Sequence, residues 1–311
     1  MEHYVTLFDA LFLPQGLALH ASLQRHAGTY TLWILCVDEE AHSILTGLQL
    51  PNVRLMRVAD VETAQLRAVK PTRTRGEYCW TLTPFAPRFV FEAAADVRRV
   101  TYLDADLWFR RSPAPIFREF DDSGKDVLIT DHAYAPEYDQ TATSGRYCVQ
   151  FLTVTRDGGE VVRKWWEERC IEWCYARIED GKFGDQKYLD DWPERFGQWV
   201  HVLADKELAQ APWNATRFPY SSSIFYHFHG VRILSARRIA LSPYALPEPL
   251  MRHVYQPYLR ELREALHTLA SCGLPLQRQA RPPSLARRIY RILARTRRLA
   301  KAQFPPQVSH W

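Results

Sequence analysis

No apolar run in this chain approaches the length that spans a bilayer, so a transmembrane protein is not expected. Cysteine is sparse and scattered. Its six copies, Cys36, Cys79, Cys148, Cys170, Cys174 and Cys272, lack the density of a disulfide framework. Cys170 and Cys174 lie four apart with no second pair at metal-ligand spacing, and all six read as free, mostly buried thiols of a reducing cytoplasm. The opening MEHYVTLFDALFLPQGLALH has neither a positively charged leader nor a small-residue cleavage site, so no secretory signal is expected. Internal repeats and low-complexity tracts are missing too. Acidic residues stop altogether after Glu264, while nine Lys or Arg follow. The net charge of +5 therefore describes a mildly acidic body with a basic tail, not a basic protein.

What is present is ordinary globular chemistry: 47% apolar and 24% charged residues, enough over 311 positions for a sizeable core. Ten tryptophans and fifteen tyrosines exceed what a minimal core needs, and such side chains also line sugar or base clefts. The first half alternates strand and helix signals. HYVTLF, TLWILCVD, VRLMRV and RVTYLD read as strands, with helical stretches at LPQGLALHASLQRH and PFAPRFVFEAAADV between them. That order predicts a doubly wound α/β sheet with helices on both faces. Further on, DVLITD, YCVQFLTVT, VHVL and SSIFYHFHG read as strands and APWN as a turn. A tryptophan-rich helix is expected over 159–179 and another over 250–270.

RVTYLDADLWF carries the chemistry. Asp104 and Asp106 flank Ala105 at the end of an apolar strand, where ligands of open α/β sheets gather. Two carboxylates there repel each other and resist burial, so a neutralising partner is required. A hard divalent cation that also holds a diphosphate would serve; Arg110 and Arg111 are the structural alternative. His227 and His229 stand at i and i+2 of an expected strand, so they share a face. Two carboxylates with one imidazole suit Mn²⁺ better than Mg²⁺.

TYLDADLWF, DGKFGDQKYLDDWP, APWN and YHFHG, in that order, resemble the bacterial GT-A type nucleotide-diphospho-sugar glycosyltransferases related to glycogenin and the lipooligosaccharide galactosyltransferases. With VTLFDALFLPQGLALHASLQRH and EYCWTLTPFAPRFVFE, the resemblance covers about residues 4–235. It implies a GT-A, Rossmann-like mixed sheet flanked by helices, with a C-terminal helical extension. The implied domains are 1–246 for the transferase, 247–279 for a helical extension and 280–311 for a basic tail.

The roles that follow are also what the resemblance implies. Asp104, Asp106 and His227 would ligate Mn²⁺ or Mg²⁺, with His229 the second choice. Asp185 and Gln186 would lie under the donor sugar as catalytic residues. Thr6, Asp9, Ala105, Gly230 and Arg232, with the two aspartates, would line the UDP-sugar site. The reaction would be sugar transfer with retention to a cell-surface glycan or lipid-linked acceptor. Two positions depart from the family pattern: Ile233 replaces its lysine and Cys148 its asparagine, and Arg232 would face away from the Ile233 side of a strand. The alternatives are a nucleotide-sugar-binding protein without turnover and a haloacid-dehalogenase-type phosphatase.

In SLARRIYRILARTRRLAKAQF, Leu285, Ile289, Ile292, Leu293 and Leu299 form one stripe and arginines most of the opposite face. This predicts a basic amphipathic helix that either docks on the body or lies on an anionic membrane through residues 284–303. The expected place is cytoplasmic, with peripheral contact at the inner membrane, and no nucleic acid is expected as partner.

Overall fold

A computed structural model describes residues 1–274, Gln279 and the strand Gln307–His310. Its strands, in chain order, are β1 (Glu2–Phe8), β2 (Tyr30–Cys36), β3 (Val53–Arg57), β4 (Arg99–Leu103), β5 (Leu107–Phe109), β6 (Val127–Asp131) and β7 (Tyr147–Thr155). They continue with β8 (Val200–Val202), β9 (Ala209–Gln210), β10 (Phe225–His227), β11 (Arg232–Ser235), β12 (Arg238–Ser242) and β13 (Gln307–His310). Among the described residues the main sheet has seven strands in the order β3-β2-β1-β4-β7-β6-β8. The first four run parallel, and β7 is antiparallel to both neighbours, β4 and β6.

Both faces of this sheet are covered, as the near-continuous apolar strands require. Tyr4 and Phe8 of β1 join Leu32 and Ile34 of β2 in one core layer. Val5, Leu7, Trp33 and Leu35 enter the layer on the other side. The helix Leu13–His26 lies against the first layer. Its Gly16 admits the Phe8 ring, which a Cβ there would meet at 2.4 Å. The helix Ala86–Ala93 packs into the second.

A small sheet, β5-β10-β9, sits beside the carboxyl end of β4. Phe225 of β10 stacks on Phe151 of β7 with centroids 5.2 Å apart and planes at 5°, and also meets Phe109 of β5 at 5.8 Å in a tilted pair. Each such aromatic pair adds about 0.5–1.5 kcal/mol beyond burial and ties the small sheet to the large one.

Two expectations change. The helix predicted over 159–179 stops at Glu172, because Trp173 turns extended (φ −154, ψ 123). Trp173 then donates its indole N–H to Glu179 and accepts from the Tyr188 hydroxyl, so 173–184 is a loop that delivers Asp185. The strand expected in SSIFYHFHG is three residues long and ends at His227. Continuous helical structure runs from Glu248 to Ser271, and Val254, Tyr258 and Leu262 share a core with Tyr226, Phe228 and Ile233. No helix of the described residues is long and apolar enough to cross a membrane. The expected tail helix lies outside the described residues, but β13 beyond it pairs antiparallel with β12.

Candidate metal and nucleotide-sugar site

The two aspartates are brought together by a turn. β4 ends at Leu103, and Leu107 N–H donates to the Asp104 carbonyl at 3.1 Å, reversing the chain between the carboxylates. β5 then pairs antiparallel with β10, with Leu107 opposite His227, and Phe228 N–H donates to the Asp106 carbonyl at 2.9 Å. The result places His227 Nε2 3.0 Å from Asp106 Oδ1 and 3.7 Å from Asp104 Oδ2. Asp104, Asp106 and His227 offer ligand atoms all within 4.8 Å of one another. His229 follows the strand end, is exposed, and stands outside this set with its ring centroid 5.8 Å from that of His227.

Charge in this cluster is unbalanced. Partial burial, then the Asp106 charge, push the Asp104 carboxyl up to about 6, against the pull of His227 and a hydrogen bond from the Tyr102 hydroxyl at 3.0 Å. Burial would raise Asp106 as well. The charge and hydrogen bond of His227 override it and hold Asp106 below the ordinary range, with Arg232 assisting. His227 is raised in turn, burial being outweighed by Asp106 and Asp104. His227 thus stabilises the Asp106 carboxylate more than that of Asp104, which is left the less compensated of the two. Two hard oxygens and one nitrogen at this spacing, short of positive charge, fit a divalent cation.

Around the cluster several buried polar atoms have no partner. They are Asp185 Oδ2, Gln150 Nε2 and His132 Nδ1, with Asp9 Oδ1 and Thr6 Oγ1 on β1 and its following loop. Unsatisfied buried groups are uncommon and ask for a ligand or a strain account. Asp185 precedes the short helix Gln186–Asp191 without capping it through its side chain. Trp166 Nε1–H instead fixes its backbone carbonyl at 2.8 Å. Burial, then the charge of Asp104, push the Asp185 carboxyl up to about 7. Gln186 donates its amide to the Ser144 carbonyl at 2.8 Å.

Asp9 is paired with Arg75 at 2.9 Å, and Arg75 also bridges to Asp38 of the loop after β2. Ala105 is buried between the aspartates. Gly230 takes φ +87, where L side chains are strained, and a Cβ would meet Pro243 Cδ at 3.1 Å. Arg232 lies near enough for its charge to act on Asp106 and His227. Ile233 is fully buried in the core shared with the helical extension, and Cys148 is buried beside Tyr134 and Trp213. Strand alternation therefore puts Arg232 on the face opposite Ile233, where its guanidinium lies 5.2 Å over the Phe12 ring.

Sequence reasoning missed Gln150, Tyr102 and Trp213. Trp213 stands edge-on to His227 at 5.3 Å. Gln150 left a signal, being the one amide inside the apolar run YCVQFLTVT, and a buried amide needs a partner.

No family model matches the chain. It is 31% identical to the uncharacterized protein YfnF of Bacillus subtilis (strain 168) over 287 residues, 86% of this chain and 94% of that protein. It is 28% identical to YfnD of the same organism over 290 residues, covering 86% and 91%. Among solved structures, the galactosyltransferase LgtC in complex with donor and acceptor sugar analogs superposes with a TM-score of 0.50 at 14% identity, over 84% of this chain and 95% of that one. The glycosyltransferase GlyE of Streptococcus pneumoniae TIGR4 does so with a TM-score of 0.50 at 16% identity, over 90% and 67%. The chain belongs to the family of YfnF, and its fold is the mixed α/β sheet of GT-A glycosyltransferases related to LgtC.

Proposed function

We propose that the chain is a metal-dependent glycosyltransferase that moves a sugar from a UDP-sugar to a glycan or lipid-linked acceptor, with retention of configuration. The observation that carries this reading is the Asp104–Asp106–His227 cluster at the carboxyl end of β4, in a sheet of the GT-A kind. A divalent cation held by these three residues, Mn²⁺ or Mg²⁺, would stabilise the charge of the leaving diphosphate.

The chain's own residues supply the rest. Arg232 adds positive charge beside the cluster, on the side Ile233 does not occupy. Thr6, Asp9 and the loop held by Arg75 line the place for base and ribose, and Ala105 and Gly230 let the backbone approach. Gln186, with its amide nitrogen on Ser144, presents its carbonyl to the cationic face of the breaking sugar. Asp185 orients hydroxyls, and the leaving phosphate takes the acceptor's proton. The fold is not that of the phosphatase alternative. The basic segment at 284–303 would bring the enzyme to an anionic membrane, where a lipid-linked acceptor resides.

The test is a thermal-shift panel of UDP, GDP and CDP with and without Mn²⁺, on the wild-type protein and on Asp106→Ala. A melting-temperature rise for UDP that requires Mn²⁺ and vanishes in Asp106→Ala is expected. No nucleotide-dependent shift in any condition overturns the reading. Labelled UDP-sugars incubated with Mn²⁺ then separate turnover from binding alone.

A further inference from the structure

We propose that Gln150 is a positioning residue of the Asp104–Asp106–His227 site, holding the His227 ring in the tautomer that offers Nε2 to a divalent cation. This rests on the metal reading above. Gln150 is fully buried in β7, next to the strand end that carries Asp104. Its Oε1 lies 2.7 Å from His227 Nδ1, on the edge of the ring away from the carboxylates. Its Nε2 has no partner, so this contact is the side chain's recorded hydrogen bond among the described residues.

An amide oxygen at that distance accepts from Nδ1–H, and a neutral imidazole protonated at Nδ1 carries its lone pair on Nε2. Nε2 is the atom that faces Asp106 and Asp104. The backbone carbonyl of Gln150 also accepts the Asp104 N–H at 3.0 Å. One residue of β7 therefore orients the strand end that bears the aspartates and the ring that comes from β10. A buried amide in an apolar strand is costly unless its hydrogen bonds matter elsewhere, and outer-shell partners of ligating histidines act in this way. The neutral amide fixes the ring without adding a further negative charge to a site already rich in it.

The experiment is calorimetric titration of the full chain with Mn²⁺ alone, comparing wild type, Gln150→Met and Gln150→Glu. Met fills the same space without an acceptor. It should weaken Mn²⁺ binding about 10–100-fold, while melting temperature and near-ultraviolet circular dichroism report the fold. Glu restores an acceptor and should recover affinity. Long-range ¹H–¹⁵N spectra of the wild type with Mg²⁺ should place the His227 proton on Nδ1, and this measurement needs no variant. Wild-type affinity in Gln150→Met, no recovery in Gln150→Glu, or a proton on Nε2 with the ion bound each overturns the positioning role. Absence of Mn²⁺ binding by the wild type overturns the metal reading itself and the positioning role with it.

Discussion

Leu107 and His227 face each other across the antiparallel pair of β5 and β10, and that register places the imidazole against Asp106. The candidate ligand cluster is thus held by a joint between two sheets. Its geometry depends on residues that touch neither carboxylate.

Phe225 tests this dependence. Its ring is fully buried against Phe151 and Phe109, two residues before His227. Phe225→Leu should cost about 1–2 kcal/mol in urea unfolding. It should also weaken Mn²⁺ binding measured by calorimetry, although all three ligands remain. Unchanged Mn²⁺ affinity in the destabilised variant would show that the joint does not set the site.

On the metal reading, protons compete with the cation here. Asp104 is pushed up to about 6 and His227 is raised above its ordinary value, so acid protonates both groups. Binding requires Asp104 ionised and His227 Nε2 free. Mn²⁺ affinity should therefore rise more than about tenfold from about pH 5 to about pH 8, with proton release on binding. Calorimetry in buffers of different ionisation enthalpy measures that release, and a flat profile contradicts the ligand assignment.

Asp185 predicts a trade of stability against function. Its carboxyl is pushed up to about 7 in the folded protein, so the folded state binds the proton more tightly than the unfolded one. Stability therefore falls as pH rises from the unfolded pKa, about 4, to the folded value, and the cost is full above it. Asp185→Asn should stabilise the protein by about 1–3 kcal/mol at about pH 8 and by little at about pH 4. If Asp185 acts on the sugar as proposed, the same variant loses turnover of labelled donor. Denaturation at the two pH values, with the turnover assay, checks both halves.

The parts of the molecule legible in the sequence are those with strong periodicity or strong chemistry. HYVTLF, TLWILC and RVTYL read directly as strands because both faces are buried, and Asp104 and Asp106 stand out because two carboxylates at the end of an apolar strand resist burial without a partner. Short strands escaped. β9 has two residues and β5 three, too few for a period, and they exist through pairing with β10. The helix predicted to reach 179 failed for the same kind of reason. The bonds of the Trp173 indole to Glu179 and of the Tyr188 hydroxyl to the Trp173 carbonyl, invisible in a local pattern, outweigh helix continuation. Spacing alone leaves His227 and His229 on one face, and it is the resemblance that ranks His227 first; the strand end at His227 and the turn at Gly230 give the physical reason His229 stands outside the cluster.

The basic segment is best tested by charge rather than by deletion. Removing residues 280–311 would also strip β13 from the edge of β12. Reversing Arg287, Arg288, Arg291 and Arg295 to Glu leaves that strand in place. The variant should release the protein from liposomes rich in anionic lipid, each lost cation being worth about 1 kcal/mol near the surface. Nucleotide binding should be unaffected, and retained liposome binding would assign the segment to the protein body instead.

The pairing of β13 has a consequence for how such an attachment would work. Before the basic segment, the Gln279 side-chain amide donates to the Leu11 carbonyl, its backbone N–H donates to the Ile233 carbonyl, and its Oε1 accepts from the Ile233 N–H; after it, Gln307–His310 lies on β12. The described residues on either side of the arginines are thus both fixed to the body, on β11 and β12, the strands that carry Arg232 and its support. A surface that grips the arginines would therefore pull on the body at two anchor points instead of one, restricting its swivel and giving the cleft a fixed heading toward whatever the surface presents.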